Sequence, residues 1–170
     1  MPIDSYENSF KDLVENDLPR LLSTLEKDME ENRPLGDFGI KGVGERTLLK
    51  KLGWSHDIAG CYVLSEDKKP VYVGISRSIV RRLRQHVCGT THFDASLAYR
   101  IAREHMPHNE TRDQAMENEQ FKLKFKDAKS YLRGLNVAFV NIDNPLVLYI
   151  FEPYCAMKYD THKWNTFETH

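Results

Sequence analysis

The sequence predicts an α+β protein: a small antiparallel β-sheet flanked by helices, with an N-terminal helical extension. Three observations carry that prediction. Two short runs rich in β-branched and aromatic residues, Gly60–Ser65 and Val71–Ser76, are joined by the polar stretch Glu66–Pro70, the pattern of a hairpin. Helical periodicity dominates the chain on both sides of that hairpin. A third, weakly alternating run at 136–142 then falls between two helical stretches.

Taken in order, Phe10, Leu13, Val14, Leu18, Leu21, Leu22, Leu25 and Met29 recur at three- and four-residue steps and make one apolar helical stripe. Pro19 inside it is expected to kink or restart the helix. Five Pro and Gly residues between Asn32 and Gly44 mark a connector, followed by a short helix over 45–52 that Gly53 closes. A boundary is expected near Asp57, dividing a helical extension, 1–57, from the main domain, 58–170. After the hairpin, helix is expected over 78–87 with Ser76 or Ser78 as its N-cap. Further helical patterns cover 95–105 and 117–133. Asn144-Pro145 reads as the start of a last helix, which Pro153 is expected to interrupt.

A chain of 170 residues with 41% apolar and 29% charged side chains suits one folded domain and is not the composition of a disordered chain. No apolar run reaches the roughly 18 residues of a membrane helix. Three cysteines without a CxxC pair favour a reducing compartment, so the cytoplasm is the expected location and no membrane partner is expected. The net charge of −1 conceals a division: residues 1–37 carry −6, residues 38–106 carry +6, and the remainder is near balance. The basic middle is where an anionic partner would be drawn.

The chemistry-bearing residues cluster in that basic middle. Gly60-Cys61-Tyr62 stands in the first strand, and ten residues after its tyrosine comes Tyr72-Val73-Gly74 in the second. In adjacent antiparallel strands two such tyrosines can bring both hydroxyls to one site; packing alone would also account for them. On the following helix Ile79, Val80, Leu83 and Val87 form the buried stripe, Arg82 and His86 lie along its edge, and Arg77, Arg81 and Arg84 point further outward. Glu152 follows the apolar run Val147–Phe151, where a carboxylate needs a cation, a hydrogen-bond network or a metal. Together these residues resemble the GIY-YIG nuclease family, with Cys for Ile in the first triplet and Val for Ile in the second. The resemblance spans about 60–165 and includes Arg82, His86, Glu152 and Asn165.

That resemblance implies a metal-dependent endonuclease acting on DNA. Its expected catalytic residues are Tyr62, Tyr72, Arg82, His86, Glu152 and Asn165, and Glu152 is the expected ligand of Mg²⁺ or Mn²⁺. Tyr62 is the usual candidate for the base, but His86, whose ordinary pKa lies near neutrality, is its rival. Arg77, Arg81, Arg84 and Lys41 are expected to contact DNA; as a plain surface, the arginines would be a solvated face. Cutting both strands with a single site would take a homodimer or sequential nicking. Residues 40–49 also resemble the second half of a helix-hairpin-helix, although a Gly-rich loop before an amphipathic helix explains them as well. Two other readings stand beside the nuclease: a catalytically inactive nucleic-acid-binding module on the same fold, and a zinc-stabilised domain using His86, Cys88 and His92.

Overall fold

A computed structural model describes residues 3–167. Its centre is β1 (Gly60–Glu66), which pairs antiparallel with β2 (Lys69–Ser76) on one side and β3 (Asn136–Asn141) on the other. Because β1 is buried on both faces, Cys61 to Leu64 reads as an unbroken apolar run rather than an alternation. The helices are α1 (Phe10–Asp12), α2 (Leu18–Asp28), α3 (Glu45–Leu52), α4 (Ile79–Cys88), α5 (Ser96–His105), α6 (Arg112–Ala115), α7 (Glu119–Arg133) and α8 (Pro145–Tyr159).

The helices sandwich the sheet. One face presents Tyr62, Leu64, Val137 and Phe139 to a core built with α4, α5 and α7. The other presents Cys61, Val63, Val73, Ala138 and Val140 to α2 and α8. Residues before position 57 enter both cores: Leu35, Phe38 and Leu48 the first, Leu13 to Leu25 the second. The Asn32–Gly44 connector is likewise drawn inward. Pro34 bridges Asn136, and the Leu35 N–H donates to the Leu135 carbonyl at 2.7 Å.

Several elements depart from their sequence-based expectations for local reasons. The hairpin turn is two residues long, Asp67-Lys68, both with positive φ, so the strands continue through most of the polar linker. Pro70 is tolerated because β2 is an edge strand and a bulge lies opposite Leu64 and Ser65. Pro19 meets its expectation instead, standing in the first turn of α2 where that helix restarts at Leu18. The preceding turn, Leu13–Asp17, widens to π geometry, with the Leu18 N–H donating to the Leu13 carbonyl. Pro153 does not interrupt α8. The carbonyl it deprives of a donor belongs to Tyr149, which is 64% exposed and open to water. At the start of α8, Asn144 accepts from the Val147 N–H as an N-cap. No helix among the described residues is long and apolar enough to cross a membrane.

Gly60 pairs with Asn141 of β3 and lies directly against the Val140 backbone. A Cβ there would stand 2.1 Å from the Val140 carbonyl oxygen, a backbone atom that cannot swing away. Gly60→Ala should therefore cost at least the roughly 1–3 kcal/mol typical of an overpacked core. Urea unfolding at equilibrium checks this; a variant as stable as the parent would contradict the packing described.

Candidate active site

The register of the hairpin brings the two tyrosines together. Tyr62 lies opposite Gly74 and Leu64 opposite Tyr72, so both rings project from the same face of the sheet, with centroids 6.2 Å apart. The Tyr62 ring lies across Gly74, where a Cβ would come within 2.5 Å of its hydroxyl end. The glycine of the second triplet is thus the floor on which the tyrosine of the first rests. Tyr62 is only 1% exposed, whereas Tyr72 is partly open.

Helix α4 delivers the next two groups. Its N-terminus is capped from outside: the Asp57 carboxylate accepts from the Val80 and Arg81 N–H groups, and the Ile58 carbonyl accepts from the Ile79 N–H. Ser78 occupies the N-cap position as expected, but its side chain makes no capping hydrogen bond, and Ser76 bonds locally to Ser78. His86 is fully buried rather than at the edge of the stripe, and its Nε2 lies 2.7 Å from the Tyr62 hydroxyl. The two rival bases are one hydrogen-bonded pair. Burial, reinforced by the nearby Arg82 charge, pushes the His86 pKa down to about 3, so the imidazole is neutral. Its Nδ1 has no partner among the described residues. Burial pushes the Tyr62 hydroxyl well above its ordinary value, with Arg82 acting against that trend.

Arg82 is half-buried and held rigidly. It donates to the Asp94 carbonyl at 2.9 Å, to the Ser96 hydroxyl at 3.0 Å and to the Gln85 side chain at 3.3 Å. Burial alone would lower its pKa, but the tyrosine hydroxyls beside it turn the net shift upward. Gln85 accordingly faces this network and Asp94, not solvent. Asp57, Ser96 and the Asp94 carbonyl were not apparent from the sequence. Each is far from its partner along the chain, and no local pattern distinguishes it.

Glu152 lies on α8, near enough for its charge to bear on the tyrosines. It is half-buried, burial raises its pKa, and no donor or cation among the described residues offsets that shift. Its charge bears on both Tyr62 and Tyr72, raising each. No three His, Cys, Asp or Glu side chains among the described residues converge on one point. A lone half-buried carboxylate without a counter-charge nevertheless fits a hard divalent cation whose shell is completed by water and phosphate. Asn165 does something different from contacting Glu152. Its Oδ1 accepts from the Val73 N–H at 2.9 Å and its Nδ2 donates to the Val73 carbonyl at 2.7 Å, clamping the free edge of β2 between Tyr72 and Gly74.

The four expected DNA contacts separate. Arg77 and Lys41 are exposed, and Arg81 is exposed with its Nε 3.9 Å from the Glu45 carboxylate. Arg84 turns inward instead. Its Nη1 donates to the Val43 carbonyl at 2.6 Å and the Phe38 carbonyl at 3.1 Å, pinning the glycine-rich loop before α3. The zinc alternative loses its geometry, since His86 is spent on Tyr62, Cys88 is exposed, and the His92 Nε2 lies 3.5 Å from Asp113.

Two outcomes follow from this geometry. Arg84→Ala should lower the unfolding free energy by about 2 kcal/mol, because two carbonyls lose a charged donor, while Arg81→Ala should stay within about 0.5 kcal/mol of the parent; urea titration separates them. His86 takes up its proton at pH 6.5 when unfolded and at about 3 when folded. Its contribution to stability is therefore complete above pH 6.5 and falls as pH drops toward 3. Between pH 7 and pH 5 this loss should be about 2 kcal/mol, and His86→Gln should lose less over the same interval. Equal losses would mean that His86 is not the titrating group.

The family model described as the GIY-YIG catalytic domain matches residues 58–131. No curated protein matches the chain. Among solved structures, the chain is similar to two point mutants of the GIY-YIG N-terminal endonuclease domain of UvrC from Thermotoga maritima, each bound to its catalytic divalent cation. They are 15% and 16% identical to it, with TM-scores of 0.38 and 0.35. Both alignments cover 73% of this chain and 99% of theirs. The segment that the GIY-YIG family model matches, 58–131, carries both triplets, Arg82 and His86.

Proposed function

We propose that this protein is a divalent-cation-dependent endonuclease that hydrolyses phosphodiester bonds in DNA. The observation that carries the reading is the buried Tyr62–His86 hydrogen bond beside a rigidly held Arg82 and a half-buried Glu152 without a counter-charge. A purely structural packing cluster gains nothing from burying a carboxylate and a guanidinium at the mouth of a tyrosine pair.

In this reading each group has a distinct task. Arg82, already fixed by three acceptors, meets the charge that develops on the phosphoryl oxygens without reorganising at the moment of reaction. The neutral His86 accepts the Tyr62 proton at Nε2, which leaves the Tyr62 oxygen able to take the proton of the attacking water. The pair works as a relay that passes the water's proton through Tyr62 to His86, which ends as the imidazolium; because its pKa is held near 3, that transfer is drawn only as negative charge builds on the phosphoryl oxygens. Tyr72, the more open of the two phenols, is placed to hydrogen-bond the scissile phosphate or the water. Glu152 would hold Mg²⁺ or Mn²⁺, which supplies Lewis-acid stabilisation of the phosphoryl and leaving oxygens when bound. Asn165 is a positioning residue, because it fixes β2 at the residue between Tyr72 and Gly74. Arg77, Arg81 and Lys41 remain available for the DNA backbone.

Supercoiled plasmid incubated with Mg²⁺, Mn²⁺ or chelator tests the proposal. The parent should cut only with metal. Glu152→Gln should bind DNA and fail to cut it, and Arg82→Ala should slow cleavage by about 10²–10³-fold. Under the relay, Tyr62→Phe and His86→Gln should both be severely slowed. Cleavage by Glu152→Gln at the parental rate would overturn the metal site; cleavage by no form, with binding intact, would favour an inactive binding module.

A further inference from the structure

Beyond Asp160, which ends α8 in the left-handed conformation, the chain turns back across α5 and α7. Asn165 reaches Val73 in this segment, and the Thr166 hydroxyl lies 3.4 Å from the Arg100 guanidinium. The same turn sets Trp164 between two hollows. One, of about 410 Å³, is bounded by Arg100, Arg103, Glu104 and Lys163. The other, of about 330 Å³, is bounded by Ile101, Ala128, Tyr131, the basic groups His105, Lys124 and Lys163, and the acidic Asp127. Lys163 serves both: its Nζ stands 4.9 Å from the centre of the indole ring and 3.1 Å from the Glu104 carboxylate.

This groove begins at the active site. Asn165, the neighbour of Trp164, is bonded through both side-chain amide atoms to Val73, the residue between Tyr72 and Gly74. From there the surface passes Arg103 and Lys163 to the indole and on to Lys124 and Tyr131. Positive charge alone would serve a duplex backbone. A half-buried indole and a phenol between the cations add flat apolar surfaces, which stacked duplex bases have no use for and unpaired bases do.

Resting on the nuclease reading above, we propose that the groove formed by Arg100, Arg103, Lys163 and Trp164 holds a single-stranded DNA flank leaving the active site, with an unpaired base stacked on Trp164. The preferred substrate is then a junction between duplex and single strand, such as a flap, an overhang or a branch, rather than continuous duplex.

Binding measured by fluorescence anisotropy in chelator, where no cleavage occurs, tests this on the whole protein. The probes are a labelled blunt duplex and the same duplex carrying a ten-nucleotide thymidine flank at either its 3′ or its 5′ end. The parent should bind one flanked duplex at least tenfold more tightly than the blunt one, and that flank should quench tryptophan fluorescence. Trp164→Leu should abolish the quench and reduce the preference to less than threefold, leaving affinity for blunt duplex nearly unchanged. Because the indole is partly packed against the core, Arg103→Glu, at an exposed position, provides a second arm with the same expected loss of preference. Absence of any flank preference in the parent, or equal losses on all probes, would overturn the proposal. The nuclease reading stands or falls separately. A parent that cuts plasmid but ignores flanks would sink the groove alone, and a parent that prefers flanks but never cuts would sink the nuclease alone.

Discussion

The site is organised by a hydrogen bond made out of contact with water: the Tyr62 hydroxyl to the His86 Nε2, 2.7 Å apart. Both residues are essentially without exposure. In such surroundings a polar pair is worth keeping only if each member is the other's partner, since an unpaired hydroxyl or imidazole would carry its full desolvation penalty. The requirement spreads outward. Tyr62 can reach His86 only because its ring passes over a glycine, and β1 can sit close enough to β3 only because Gly60 has no side chain. Each triplet thus needs its glycine for a different contact, one with a ring and one with a backbone carbonyl.

Strand β2 is the weak side of this arrangement. It lies at the edge of a three-stranded sheet, and an edge strand exposes unpaired N–H and C=O groups. Asn165 meets one such pair with its side-chain amide at Val73, mimicking a short piece of a fourth strand. The same few residues carry Trp164 to its position between α5 and α7. Edge protection, the setting of Tyr72 and the shape of the adjoining basic groove are therefore consequences of one short segment.

Charge is distributed by the same economy. Arg82 and Arg84 are two residues apart on α4, yet their guanidinium groups do unrelated work. Arg82 is braced by the loop before α5, with its charge beside the tyrosines. Arg84 is consumed by carbonyls of the loop before α3. Backbone acceptors left over where loops meet the helix decide which arginine faces the site and which becomes a strut.

The amino-acid order alone determined what depends on near neighbours: the hairpin and its two triplets, the stripe on α4 and the Asn144 cap. Those features follow from side-chain periodicity and backbone preferences, which act over a few residues. Folding decided the rest. The burial of His86 against Tyr62, the capping of α4 by Asp57, the inward turn of Arg84 and the Asn165 clamp all join groups more than 20 residues apart. The survival of α8 through Pro153 belongs with them, because it depends on which carbonyl faces water. Each is settled by the location of unpaired polar groups once the layers have packed, and that location is a property of the assembled chain.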